Sequence, residues 1–243
     1  MWYFVLMYLL LIPGTALFIR SKHRRGNAAA LTVGIKAGCT LTVVLAALVT
    51  AVLAPASLRP YALPVAAGLI LGLVGDVVIC QPATGDFLSG MIFFALGHLC
   101  YIGAFLGMSG HRLWAVPVFI VIYLPFFAVL YRGTRLNPEV HNMLAPVAVY
   151  GVLIVAMLSL AATVAFSVPH GFVVLAGAVL FAISDSLLAY HTLKKGGGRG
   201  DLAAPQQGCT FGQAFARDKL DAFGLYCYYI GQSLLAVSIC LLP

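Results

Sequence analysis

An all-α membrane bundle of eight transmembrane helices is the fold class this sequence predicts, and three observations carry it. Of 243 residues, 62% are hydrophobic and only 9% charged, against about 25% charged in a soluble domain. Mean hydropathy is +1.03. Apolar runs of about 20 residues, each enough to cross roughly 30 Å of hydrocarbon, recur along the whole chain. So much apolar surface excludes a water-soluble globule, and the same hydrophobicity excludes a disordered or collagen-like chain. The 25 glycines and 12 prolines suit helices in lipid, where glycine permits close approach and neighbouring helices satisfy the carbonyl that proline frees.

Taken in chain order, apolar runs punctuated by Arg, Lys, Pro and Gly give spans near residues 3–19, 31–53, 61–80, 89–107, 113–131, 143–166, 171–191 and 222–242, within one integral membrane domain covering 1–243. The first run, Trp2 to Ile19, has no basic residue before it and no small-residue cleavage site after it, so it reads as a retained helix and not a removable signal peptide. The short connection around Ser167 to His170 is where two spans are most easily miscounted as one. Cys39, Cys80, Cys100, Cys209, Cys227 and Cys240 contain no CxxC pair and read as reduced, packed thiols.

The net charge of +7 does not point to nucleic acid, because the basic residues sit between spans, where they set topology and meet anionic lipid. Arg20, Lys22, Arg24, Arg25, Arg132, Arg135, Lys194, Lys195, Arg199, Arg217 and Lys219 fall in the odd-numbered connections, against Arg59 and Arg112 in the even ones. The positive-inside rule then places the odd connections in the cytoplasm and both termini on the other side. The longest connection, His191 to Asp221, is expected to be a cytoplasmic loop. Its Lys194-to-Gly200 segment reads as a flexible basic linker, since no Walker spacing is present.

A weak internal repeat suggests a parallel four-plus-four arrangement. Gly75-Asp76 on the third span matches Ser184-Asp185 on the seventh. Phe93-Phe94 before Gly97-His98 on the fourth matches Tyr228-Tyr229 before Gly231-Gln232 on the eighth. Four crossings separate the matched spans, so the halves share one orientation.

Of the seven acidic residues, Asp86, Glu139, Asp201, Asp218 and Asp221 fall in connections or at span edges, and Asp76 and Asp185 alone lie within spans. An intramembrane carboxylate costs roughly 2.5 to 3.5 kcal/mol on insertion scales, so it is a functional candidate facing a cavity or a partner. At about 1.5 Å rise per residue, Asp76 lies about 6 Å and Asp185 about 9 Å from the ends of their spans, on one cytoplasmic level. Two carboxyls held close in a low-dielectric pocket form an acid and base pair, because both cannot easily ionise. The structural alternative is that each aspartate bonds a neighbouring helix or pairs with Lys36.

Lys36, between Gly34 and Gly38, either snorkels to the surface or neutralises an aspartate. His98 shares a helix face with Phe94 and Tyr101, which suits bonding to a substrate or a carboxyl and equally suits a satisfied core histidine. On the last span Tyr226, Tyr229 and Ser233 share one face and Tyr228 with Gln232 another, and either face suits a polar pocket; for Tyr226 an interfacial belt position is favoured. The sequence has no GxSxG elbow, HExxH, Walker motif or zinc-spaced Cys and His cluster. No metal ligand and no cofactor are therefore assigned.

The ordered set Gly75-Asp76, Gly97-His98-xx-Tyr101, Ser184-Asp185 and Tyr228-Tyr229-xx-Gln232 on eight spans resembles the YhhN-like lysoplasmalogenases over nearly the full chain. The resemblance implies an enzyme that hydrolyses the vinyl ether of a lysoplasmalogen to a fatty aldehyde and glycerophosphocholine or glycerophosphoethanolamine. Two intramembrane aspartates proposed as catalytic in that family match Asp76 and Asp185. Such hydrolysis starts by protonating a carbon and ends with water adding to an oxocarbenium ion, which two carboxyls can manage without a metal. Lys36, His98, Tyr101, Tyr229 and Gln232 are the supporting candidates, and Arg132, Arg135 or Lys194 would meet the phosphate. Competing classes are a proton-coupled transporter of small molecules or lipids, a metal-dependent lipid amide or ester hydrolase, and a non-catalytic lipid-binding or assembly protein. The location expected is a bacterial inner membrane, with the endoplasmic reticulum as the alternative.

Overall fold

A computed structural model describes residues 2–25, 30–80, 87–110, 112–135, 144–194 and 211–243. Eight α-helices make up almost all of it: α1 (Trp2–Arg25), α2 (Ala30–Leu53), α3 (Arg59–Ile79), α4 (Phe87–Met108), α5 (Ala115–Arg135), α6 (Leu144–Ser167), α7 (Phe172–Lys194) and α8 (Phe211–Leu241), with a 3₁₀ turn at Arg112–Trp114. Each contains a stretch long and apolar enough to cross a membrane. The expected fold class is the observed one, because backbone polar groups in hydrocarbon must be satisfied within the segment.

The ends differ from the sequence reading where apolar runs stop and helices do not. The expected loop His191 to Asp221 is shorter than that, since α7 runs to Lys194 and α8 begins at Phe211. The part of α8 long and apolar enough to cross a membrane is Ala222–Leu241. Apolar length marks hydrocarbon thickness, whereas a helix can extend past an apolar run through good helix formers, and Gln213, Ala214 and Arg217 lie in the part of α8 before that run. Residues 195–210, which hold most of the basic Gly-rich segment, lie outside the described residues, as do Asp86, Glu139 and Cys209. The α6–α7 connection is a tight turn at 168–171, in which His170 has φ 61°. That left-handed conformation reverses the chain in four residues and keeps the two helices distinct.

α3 packs on α4 and α7 packs on α8, and these are the two most extensive helix pairs. Both are made by glycine. A Cβ on Gly97 would meet the Gly68 carbonyl at 3.1 Å, and one on Gly231 would meet the Gly177 carbonyl at 3.0 Å. Gly68 and Gly177 each lie eight residues before their aspartate, and Gly97 and Gly231 each lie one before His98 or Gln232. Tyr101 covers Gly68 as Leu235 covers Gly177. The sequence match is therefore also a match of contacts. α2, α6 and α8 join these pairs into the core, while α5 rests on α6 with little of its span buried.

Candidate active site

Asp76 lies one turn before the end of α3 and is 2% exposed. Lys36 Nζ on α2 is 2.8 Å from its Oδ1. The Thr40 hydroxyl, one turn along α2, donates to Oδ2 at 2.6 Å, and the Tyr228 hydroxyl on α8 donates to the same oxygen at 2.8 Å. Lys36 and Thr40 reach one carboxylate because residues i and i+4 share a helix face. Of the two options open for Lys36 in the sequence, the structure shows neutralisation of an aspartate. All three partners of Asp76 are donors, so the group is surrounded as an anion.

Asp185, on α7, is 5% exposed, and its partners come from α4 and α6. His98 Nε2 is 3.0 Å from Oδ2, and the Tyr150 hydroxyl donates to the same oxygen. Nε2 is also 3.1 Å from the Tyr150 oxygen, so the three polar atoms form a closed triangle. His98 is fully buried, and its Nδ1 lies 3.2 Å from Met157 Sδ. Its ring stands against Phe181, at 5.2 Å between centroids, and Phe181 stands against Tyr228 at 5.5 Å. Phe181 thus occupies the space between a partner of each carboxylate.

The two sites obey one rule of assembly. Each aspartate takes partners from the preceding helix of its own half, α2 for Asp76 and α6 for Asp185, and from the last helix of the other half, α8 and α4. Neither site is complete within one half.

The remaining sequence candidates are placed less directly. Tyr229 points its hydroxyl at the Lys36 carbonyl over a long 3.4 Å. Tyr101 packs beside His98, at 6.2 Å between rings, but bonds neither carboxylate. Its hydroxyl, both amide atoms of Gln232 and the Ser233 hydroxyl are buried with no hydrogen-bond partner among the described residues. Gln232 Nε2 and the Tyr228 hydroxyl lie 3.1 and 3.6 Å from where a Cβ of Gly72 would stand. Tyr226 is exposed, as a belt residue would be. Sequence reasoning passed over Thr40, Tyr150 and Met157. Thr40 carried a signal, its i+4 spacing from Lys36; Tyr150 and Met157 carried none, being single residues in an apolar span. Among the described residues, no three His, Cys, Asp or Glu side chains gather as a metal site would require.

An apolar crevice of about 300 Å³ runs over α6 between α5 and α7. Phe126, Gly151, Ile154, Val179, Ser186 and Leu187 are among its walls. Asp185, Tyr150 and His98 are not among its walls: on α7 the lining residues Val179, Ala182, Ile183 and Ser186 share a helix face that is not the face of Asp185.

Fold and site together define an eight-span membrane protein with two buried, differently partnered carboxylates on equivalent helices of its halves. The model of the YhhN family matches residues 31–239, a range that holds every site residue from Lys36 to Gln232, and the chain belongs to that family. Among curated proteins the chain is similar to the lysoplasmalogenase TMEM86B of Homo sapiens, with 33% identity over 124 residues. That match covers 51% of this chain and 49% of the human protein, about half the length of each. No solved structure matches.

Proposed function

We propose that this protein is a lysoplasmalogenase, a membrane hydrolase of the vinyl ether bond that uses Asp76 and Asp185 and no cofactor. The observation that carries this reading is the pair of buried carboxylates with unlike partners, in a chain whose family and curated relative both point to that activity. One carboxyl donates a proton to the alkenyl carbon while the other, ionised, stabilises the oxocarbenium ion and orients the attacking water. The resulting hemiacetal collapses to a fatty aldehyde and glycerophosphocholine or glycerophosphoethanolamine. Gln232 and Tyr101, whose side-chain polar atoms are buried with no hydrogen-bond partner among the described residues near Gly72 and Gly68, are suited to hold the polar end of the substrate or the water.

The substrate's single chain would lie between helices in the hydrocarbon. Two crossings separate α5 from α7, so their C-terminal ends, with Arg132, Arg135 and Lys194, lie on one side of the membrane and are suited to the phosphate headgroup. We place this side in the cytoplasm, with both termini opposite, in a bacterial inner membrane. The whole chain, 1–243, acts as one membrane domain.

The test is fatty aldehyde release from lysoplasmenylethanolamine and lysoplasmenylcholine by purified protein in detergent with a chelator. Wild type should release aldehyde, and Asp76→Asn and Asp185→Asn of equal thermal stability should each be slower by about 10²- to 10⁴-fold. A folded wild type that releases none would overturn the reading. Full turnover by both variants would overturn the mechanism.

A further inference from the structure

We infer that His98 and Asp185 hold one transferable proton between them, and that Met157 fixes this by deciding which ring nitrogen of His98 carries the permanent hydrogen. The catalytic meaning of the inference rests on the function proposed above; the proton itself does not. Nδ1 of His98 faces Met157 Sδ at 3.2 Å. A thioether has no hydrogen to give and can only accept. In a fully buried ring that contact is attractive only if Nδ1 bears the hydrogen, since a bare Nδ1 would set its lone pair against the sulfur. A neutral imidazole has one N–H, so Nε2 is then bare.

Bare Nε2 lies 3.0 Å from Asp185 Oδ2 and 3.1 Å from the Tyr150 oxygen. Tyr150 supplies a single hydrogen, already donated to Oδ2. Without a second proton, the nitrogen and the carboxylate oxygen would meet lone pair to lone pair, and the site would carry a net negative charge inside the bundle. A proton on that edge removes both costs, whether drawn closer to the oxygen or to the nitrogen. Among the described residues, the side chains bonded to Asp185 are His98 and Tyr150, and neither is a lysine or an arginine.

Asp76 has no such need. Lys36 balances its charge, Thr40 and Tyr228 both donate to it, and a proton there would strand the lysine cation. The structure therefore makes Asp185 the donor and Asp76 the fixed anion. In the reaction, the proton leaves Oδ2 for the alkenyl carbon remote from the ether oxygen, and the π pair forms the new C–H bond. An oxygen lone pair completes the oxocarbenium ion. Water adds to the carbon attached to oxygen, and its released proton restores the His98–Asp185 pair. Met157 and His98 act through Asp185 as positioning residues.

The experiment is ¹⁵N NMR of the full chain labelled at histidine, in detergent, with His98 identified by the signals lost in His98→Gln. The expected result is a hydrogen on Nδ1 of His98, with Nε2 shifting in Asp185→Asn and staying in place in Asp76→Asn. A bare Nδ1 in wild type would overturn the inference, and this readout needs no folded variant at Met157. Met157→Leu, close in volume, should mix the two tautomers and lower kcat for aldehyde release by about 10-fold at unchanged KM. An unchanged kcat would remove Met157 from the device. If wild type released no aldehyde while Nδ1 carried its hydrogen, the proposed function would fail and the shared proton would stand. Aldehyde release with a bare Nδ1 would be the reverse.

Discussion

Asp76 and Asp185 sit at equivalent positions of two helices, each with a neighbour from its own half and another from the opposite half, yet they are chemically unlike. Around Asp76 an ammonium and two hydroxyls fix a negative charge. Around Asp185 an imidazole and a phenol replace them, and both groups can give or take a proton at an edge shared with the carboxylate. A repeated scaffold supplies similar geometry twice, and the residues around it differ; in the proposed mechanism that difference divides labour between an anion and an acid. Two carboxylates that look alike in sequence become distinct through two or three polar neighbours each.

The largest stability effect expected to sharpen this contrast is at Lys36. Lys36→Met leaves Asp76 buried and uncompensated and should cost about 3–5 kcal/mol, seen as a lower denaturation midpoint. Adding Asp76→Leu should recover most of that loss, whereas no comparable rescue is expected at the Asp185 site, whose partners among the described residues include no lysine. Next, Tyr150→Phe should cost about 1.5–3 kcal/mol, because a donor to a buried carboxyl is removed while Nε2 keeps its contact. Gly97→Ala and Gly231→Ala probe the shared scaffold. Each drives a methyl against a backbone carbonyl, and each should lose about 1–3 kcal/mol by a similar amount. Unequal losses would break the equivalence of the two helix pairs. Smallest of all, Tyr229→Phe removes a buried hydroxyl with a long 3.4 Å contact to the Lys36 carbonyl and further contacts to Thr40 and Cys39, and should cost about 0.5–1.5 kcal/mol.

Much of the bundle was legible because a bilayer imposes length and apolarity on every crossing. Helix ends were less so: α8 starts at Phe211, where charged residues read as loop although they suit a helix in water. Asp76 and Asp185 stood out because ionisable groups within apolar spans are rare, and Lys36 and His98 for the same reason. Tyr150 and Met157 were invisible, since one tyrosine and one methionine in an apolar run look like any core residues. Tyr101 and Gln232 were read as supporting residues, and the structure buries them with free polar atoms near, but not on, the carboxylates.

By itself the sequence determined the number of crossings, the two intramembrane carboxylates and the glycine positions that let paired helices touch. Those are local properties, set by the cost of exposing backbone or charge to hydrocarbon. Only the tertiary structure decided that His98 meets Asp185 and Tyr228 meets Asp76, contacts spanning 87 and 152 residues of chain. Which face of one helix meets which face of another depends on the packing of the whole bundle, and no spacing along a single helix encodes it.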